Sequence, residues 1–267
     1  MFRARSLINA YPEVPRLHAR NLFREKKLVL LVDLDLTLIH TSSYVNRGCE
    51  IEGIQPIYFE GSAGGATWLR LRPGAKEFLQ NLSSTYEMYV CTMGTLPYAR
   101  AVLQVLDPDQ AIFKGRIVSR EYYGNSKFKT SILSRIFYNG DQSMISIIDD
   151  NAFVWSNNPS LIKVREYTFF NEHGSASVTA HQDDKDRYLQ ELELSLKQIH
   201  SDFFSQQGVN PLWTIILNHM RSKKKPIVQP ITEASAGCQT QIEKLQLIFN
   251  IVLFFVLFYF GLYIFSK

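Results

Sequence analysis

The chain has 267 residues, of which 46% are hydrophobic and 20% charged, so it can bury one good-sized core. Its net charge of +4 is local, because residues 1–27 carry seven basic residues against two glutamates. The rest of the chain is close to neutral, which argues against a nucleic-acid-binding protein with a pervasive basic face. Cys49, Cys91 and Cys238 lie far apart, which excludes a disulfide framework or a zinc cluster and favours a reducing compartment.

The predicted elements alternate between strands and helices. Leu28–Val32 is an unbroken apolar run, typical of a strand buried on both faces. Segments 57–59 and 67–71 flank the turn-prone residues 61–65 and predict a hairpin. Further strands are predicted at 86–91, 112–119, 144–148 and 161–164, and helices at 74–82, 95–106 (with Thr95 as N-cap), 130–137, 186–204 and 212–220. This alternation predicts an α/β domain with a mainly parallel sheet.

Four regions are expected along the chain. A basic lead-in (1–27) precedes the globular domain (28–206), and a linker (207–244) carries the last short helix. Residues 245–266 form a run of 22 residues without a charge, long enough to cross a hydrocarbon core of about 30 Å. We expect this run to be a transmembrane tail anchor. Basic residues on its N-terminal side would keep the domain in the cytosol or nucleoplasm.

Two pairs of acidic residues follow two of the predicted buried strands. Asp33 and Asp35 come directly after the first strand, and Asp149 and Asp150 come after the strand at 144–148. Ligands of open α/β sheets bind at the carboxyl ends of the strands, where these acids would repel an anion unless a cation intervened. One such pair arises easily by chance, whereas two favour a site for Mg²⁺, which prefers hard oxygen ligands and binds phosphate.

The run LVLLVDLDLTLIH at 28–40 resembles motif I of the haloacid-dehalogenase superfamily, and more narrowly that of the phosphatases of the RNA polymerase II C-terminal domain. The resemblance spans about 20–221 and continues through LRLRPG (69–74), CTMG (91–94), LDP (106–108), IVSRE (117–121), IIDD (147–150), VW (154–155) and YL (188–189). It implies a Rossmann-like fold of the haloacid-dehalogenase type, with a β-hairpin insertion after motif I.

The resemblance also implies a serine/threonine phosphatase acting through an aspartyl phosphate. Asp33 would be the nucleophile, and Asp35 would protonate the leaving seryl oxygen and later activate water. Mg²⁺ would be held by Asp33, by the backbone carbonyl of Asp35 and by Asp150, with Asp149 in support. The expected substrate is the phosphorylated C-terminal repeat of RNA polymerase II, with no direct contact to nucleic acid.

The phosphate group would be held by Thr37, Arg72, Thr92 and Lys129, by the same resemblance. Lys129 matches the family lysine best, and Lys127 is the alternative because the run Lys127-Phe128-Lys129-Thr130 permits either register.

Two positions depart from the family pattern, and two other functions stay open. Asn151 stands where an arginine is usual and Phe153 where an acid is usual, which affects phosphopeptide contacts more than basic catalysis. The alternatives are a membrane-anchored phosphatase of another phosphoprotein, such as a lipid-metabolism regulator, and a non-catalytic, membrane-tethered binding module. The membrane that holds the tail anchor is expected to be the nuclear envelope or the endoplasmic reticulum. Retention of Asp33, Asp35, Thr37 and Asp150 argues against the module.

Overall fold

The computed structural model describes residues 15–45, 53–62, 65–171 and 185–224. The strands are β1 (Leu28–Val32), β2 (Ile39–Ser42), β3 (Ile54–Ile57), β4 (Thr67–Leu71), β5 (Tyr86–Cys91), β6 (Ile117–Val118), β7 (Ile145–Asp149) and β8 (Leu161–Lys163). The helices are α1 (Ala19–Arg24), α2 (Ala75–Leu82), α3 (Leu96–Leu106), α4 (Arg120–Tyr123), α5 (Tyr188–Ser205) and α6 (Leu212–Lys224). The predicted α/β class is confirmed.

The main sheet has the order β6-β5-β1-β7-β8, and each of its pairings is parallel. The central strand β1 is wholly buried, as its unbroken apolar sequence predicts for a strand covered on both faces. Val32, its last residue, pairs with Val90 of β5 and with Ile148 of β7. The carboxyl ends of these three strands therefore lie at the same level of the sheet, on the same side.

A second sheet of three strands lies between β1 and β5 in the chain. The predicted hairpin is present, since β3 and β4 pair antiparallel, but its first strand ends at Ile57 instead of running through 57–59. Tyr58, beyond that end, is largely exposed. The sequence did not predict β2, which pairs with the other edge of β4, so the hairpin is part of a three-stranded sheet.

Two predicted elements are shorter than expected, and each has a backbone reason. The strand predicted at 112–119 is reduced to β6, because the Asp107 carboxylate accepts the N–H groups of Ile112 and Phe113 and holds that segment in a turn. The helix predicted at 130–137 is a single 3-10 turn, Thr130–Ile132. Residues 133–135 continue in turns, and Phe137 then forms an isolated parallel bridge with Leu17, which ends any helical continuation.

The helices bury their predicted faces and extend the core at both ends. Leu189, Leu192, Leu196 and Ile199 of α5 are all buried, and α5 packs against α2. The helix α6 begins with a hydrogen bond of 2.8 Å from Leu212 N–H to the Ser143 carbonyl, and its residues Ile215 and Ile216 belong to the same core. At the other end Leu22 of α1 is buried in that core. Packing therefore continues beyond the expected bounds of 28–206.

The chain divides into two compact units, Met1–Met220 and Arg221–Lys267, and both sheets belong to the first. Within the part of the chain that the structure describes, no helix is long and apolar enough to cross a bilayer. The predicted span at 245–266 lies outside those residues, as do Cys49 and Cys238. Cys91 is buried and forms no disulfide.

Candidate active site

The register of the main sheet brings three polar side chains to one edge. Asp33 follows β1 and continues the ladder with a hydrogen bond of 3.1 Å to the Ile148 carbonyl, while Thr92 follows β5 and binds the Val118 carbonyl at 2.9 Å. Asp149 is the last residue of β7. These residues lie where ligands of open α/β sheets bind, as the sequence predicted.

A tight turn after Asp33 carries the second aspartate of motif I. The Leu34 carbonyl accepts hydrogen bonds from the N–H groups of Leu38 (2.9 Å) and Ile39 (3.1 Å). Leu36 lies in the left-handed region with φ of 58°, a conformation that costs a non-glycine residue about 1–3 kcal/mol. Because Leu36 is strained, the contacts around this turn must maintain the backbone conformation that positions Asp35.

Lys129 joins the two acidic segments. Its Nζ lies 2.6 Å from Asp33 Oδ1 and 2.7 Å from Asp149 Oδ2, and all three side chains are buried. Burial disfavours the charge of Lys129, but the two carboxylates outweigh it and raise the pKa of the lysine above its usual value. Burial raises the pKa of Asp33, an effect that Lys129 opposes. Lys127, the alternative lysine, is exposed.

Asp149 serves as an acceptor for three donors. Besides Lys129, its Oδ2 accepts from Trp155 Nε1 at 2.7 Å, and its Oδ1 accepts from Asn151 N–H at 2.8 Å. Both oxygens are therefore engaged by protein groups, which fits the supporting role expected for Asp149. The sequence reasoning gave Trp155 no role. The signal was available, since a buried tryptophan needs an acceptor for its indole N–H.

Three acids in this region could hold a divalent cation. One oxygen each of Asp33, Asp149 and Asp150 lie within 4.8 Å of one another. Asp150 is the half-buried member, and burial together with the charge of Asp149 raises its pKa to about 6. Three carboxylates against the single ammonium of Lys129 leave two negative charges when ionised. This balance and the hard oxygen donors fit Mg²⁺. The carboxylate of Asp35 is not in this cluster, and only its backbone carbonyl was expected to be a ligand.

Asp35 is held by hydroxyl groups. Its Oδ1 accepts a hydrogen bond from the Tyr98 hydroxyl, and the Thr92 side chain helps to lower the pKa of the carboxyl group. Thr92 Oγ1 in turn accepts from Gly94 N–H at 2.9 Å. Burial raises the pKa of Asp35, although the hydrogen bond from Tyr98 lowers it in part. The sequence reasoning missed Tyr98, which lies on α3 one turn after the N-cap Thr95.

Thr37 and Arg72, both expected to bind phosphate, are buried beside motif I. Arg72 donates from Nε to Asp186 Oδ2 at 3.0 Å and from Nη1 to the carbonyls of Thr37 (3.2 Å) and Arg165 (2.9 Å). Its guanidinium also lies over the ring of Tyr188, 4.5 Å from the centroid. Among the described residues Thr37 Oγ1 and Arg72 Nη2 have no hydrogen-bond partner. Arg72 thus connects the motif I turn to Arg165 and Asp186. Its contact with phosphate stays a prediction.

Two aromatic side chains lie on the loops that carry Lys129 and Asp150. Phe128 and Phe153 are 38% and 62% exposed, and their ring centroids are 5.2 Å apart. The two loops are joined by a hydrogen bond of 2.7 Å from Lys129 N–H to the Val154 carbonyl. Asn151, the other departure from the family pattern, accepts from Phe153 N–H at 3.0 Å. Both departures therefore shape the exposed rim and leave the buried contacts of Lys129 intact.

An open groove lies next to Asp35, and Thr41 of the small sheet contributes to its lining. The groove measures about 410 Å³, and its lining also includes Phe59, Met93, Tyr98 and Arg120. The turn between β5 and α3, which contains Met93, leaves room for the ring of Tyr98. The groove is open to solvent and can admit a peptide next to Asp35.

Comparisons with known proteins agree with this geometry. The RNA polymerase II C-terminal domain phosphatase of Caenorhabditis elegans is 33% identical over 217 residues, covering 77% of this chain and 33% of that protein. The human protein of the same name is 39% identical over 160 residues, covering 60% of this chain and 16% of the relative. This chain thus spans a third or less of the length of these two relatives.

A solved structure shares the fold. The fission yeast RNA polymerase II CTD phosphatase Fcp1-R271A bound to beryllium fluoride matches with a TM-score of 0.64 at 24% identity, over 79% of this chain and 78% of that one. The model of one protein family, NLI interacting factor-like phosphatase, matches residues 28–206, which is more than half of the chain. The chain therefore belongs to the NLI interacting factor-like phosphatase family.

Proposed function

We propose that this chain is a Mg²⁺-dependent phosphoserine and phosphothreonine protein phosphatase that forms an aspartyl phosphate on Asp33. The observation that carries the proposal is the placement of Asp33 at the end of β1, bound through Oδ1 to a buried lysine and two residues before a second, half-buried acid. Its relatives are named phosphatases of the RNA polymerase II C-terminal domain, so we take that phosphorylated domain as the substrate.

The reaction has two steps on this chain's own residues. Asp33 Oδ2 attacks phosphorus, the bond from phosphorus to the seryl oxygen breaks, and Asp35 gives its proton to that oxygen. Water then attacks the phosphorus of the aspartyl phosphate and gives a proton to Asp35, which releases phosphate and restores Asp33. The positive charge of Lys129 stabilises the charge that builds up on the phosphoryl group.

A cation at the acidic cluster would complete the site. Asp33, Asp150 and the backbone carbonyl of Asp35 would hold Mg²⁺, with Asp149 in support, and the ion would screen the phosphate from the carboxylates. Lys129 cannot do this alone, since its single charge already pairs with Asp33 and Asp149.

The test is phosphate release by the full chain in mild detergent from a phosphoserine heptad-repeat peptide. We expect activity with Mg²⁺, none with a chelator or in Asp33→Asn, and only a small residual rate in Asp35→Asn. Asp109→Asn, which alters an exposed acid outside the site, is the matched control and should behave as wild type. Full activity in Asp33→Asn would exclude the aspartyl phosphate. A folded wild-type protein that binds the phosphopeptide without cleaving it would favour the binding module.

The same proposal includes a membrane anchor at 245–266. Its support is the sequence alone: 22 residues without a charge, preceded by basic residues that favour a cytosolic or nucleoplasmic domain. We expect the protein to fractionate with membranes and to become soluble when 245–267 are deleted. The exposed sequon at Asn81 reports orientation, because a glycan there would place the domain in a lumen. A nuclear polymerase as substrate requires that Asn81 carry none.

A further inference from the structure

We infer that Tyr98 is the residue that positions the general acid, holding the Asp35 carboxyl group in the orientation that proton transfer needs. The inference rests on the proposed function and names a residue that the motifs of the family resemblance did not supply. Tyr98 is 7% exposed, and its hydroxyl donates to Asp35 Oδ1.

The contact matters because a carboxyl group turns easily about its Cβ–Cγ bond. A hydrogen bond to Oδ1 fixes that rotation and leaves Oδ2 to carry the proton to the leaving oxygen. Proton transfer requires hydrogen-bond reach at the moment of reaction. A freely turning Asp35 would present its proton in the right direction for only part of the time.

Tyr98 can donate to Asp35 because its other contacts leave that proton free. Thr41 Oγ1 of β2 lies 3.3 Å from the Tyr98 hydroxyl, and either atom could be the donor of that pair. Since Tyr98 gives its proton to the carboxylate, Thr41 donates to Tyr98. The ring also packs edge to face against Phe59, with centroids 5.3 Å apart. Tyr98 is therefore fixed from the small sheet as well as from α3.

The turn before α3 is shaped to admit the tyrosine ring. A Cβ atom on Gly94 would lie 2.4 Å from Tyr98 Cδ1 and 2.9 Å from Cε1, closer than such atoms approach. The backbone of Gly94 is outside the left-handed region, so alanine would be conformationally acceptable there apart from this collision. Glycine at position 94 is required by the ring of Tyr98, which predicts that alanine there disturbs Asp35 from a distance.

The experiment compares leaving groups in the full-length protein. Tyr98→Phe keeps the ring and removes the hydroxyl. We expect kcat for a phosphoserine peptide, whose alkoxide leaving group needs a proton, to fall about tenfold or more, with KM unchanged. The pre-steady-state release of nitrophenolate from p-nitrophenyl phosphate, which needs no proton, should stay within about twofold. Tyr138→Phe, at an exposed ring outside the groove, is the control.

Two further variants separate positioning from simple loss of structure. Gly94→Ala should show the same selective loss as Tyr98→Phe, although it leaves the hydroxyl in place. In an Asp35→Asn background, Tyr98→Phe should cost nothing more, because a residue that acts through another shows no additional effect once that other is removed. Equal losses with both leaving groups, or additive losses in the double variant, would overturn the inference. An inactive wild type would instead refute the proposed function.

Discussion

Lys129 Nζ lies 2.6 Å from Asp33 Oδ1, and the two side chains are only 3% and 7% exposed. The same ammonium reaches Asp149 at 2.7 Å, so one buried cation serves two buried carboxylates. Separating charges of this kind from water costs several kcal/mol per ion, which the pairing must offset. Lys129 is therefore expected to stabilise the folded protein in addition to the catalytic role proposed for it.

Replacing Lys129 with methionine should lower both the activity and the stability of the protein. We expect kcat to fall about 10²–10³-fold, because a preorganised charge donor to the phosphoryl group is lost. At neutral pH the free energy of unfolding should drop by about 3–5 kcal/mol, since two buried carboxylates are left without their cation. Urea unfolding and single-substrate kinetics measure the two effects.

The control for this variant is Lys127→Met, on an exposed side chain in the same loop. It should change neither stability nor kcat appreciably. Mg²⁺ should restore part of the lost stability of Lys129→Met, because it supplies positive charge to the same acids. A large loss of activity in Lys127→Met with none in Lys129→Met would assign the catalytic role to Lys127.

The sequence predicted the strands of the main sheet and the acids at their ends because these depend on local pattern. The buried strand β1 contains no polar residue, and Asp33 follows directly after its last residue. The sequence did not identify which side chains contact those acids, because Tyr98 and Trp155 meet them through tertiary packing. The strand β2 was missed for a related reason. Only Ile39 of its four residues is buried, so its pattern is weak without the pairing to β4.

For Arg72, too, the sequence predicted that the residue belongs to the site but did not predict the contacts of its guanidinium. Arg72→Lys should lower the free energy of unfolding by about 3–5 kcal/mol, because lysine cannot reproduce the forked contacts to Asp186 and to two carbonyls. Arg165→Ala removes the 65% exposed partner of the same Asp186 and should cost about 0–1 kcal/mol. If Arg72→Lys is as stable as wild type but is inhibited more weakly by inorganic phosphate, the main role of Arg72 is to bind phosphate.

His40 should make stability depend on pH. Its Nδ1 accepts hydrogen bonds from the N–H groups of Phe169 (2.7 Å) and Phe170 (3.0 Å), so this nitrogen must be unprotonated in the folded state. Burial lowers the pKa of His40 in the folded protein. The unfolded chain therefore binds the proton first, and stability should fall as pH drops below about 6.5.

His40→Asn is the variant that isolates this effect, since an asparagine Oδ1 can accept the same hydrogen bonds without titrating. Urea unfolding at pH 7.5 and pH 5.5 should show a smaller loss of stability in the variant than in wild type. Other titrating groups are common to both proteins and cancel in the comparison. Parallel pH dependences in the two proteins would show that His40 carries no such linkage.

Phe153 should contribute to phosphopeptide binding and leave the chemistry alone. It is 62% exposed, contacts Phe128, and lies on the loop joined to Lys129 through the Val154 carbonyl. We expect a phosphopeptide bound at Asp33 to extend over these loops, where an aromatic ring can be covered on binding. Truncating such a ring typically costs about 1–2 kcal/mol, so Phe153→Ala should raise KM for the peptide about tenfold with kcat unchanged. Kinetics with p-nitrophenyl phosphate, which is too small to span the rim, should be the same as in wild type. Equal effects on both substrates would show instead that the ring of Phe153 stabilises the loop and does not contact the peptide.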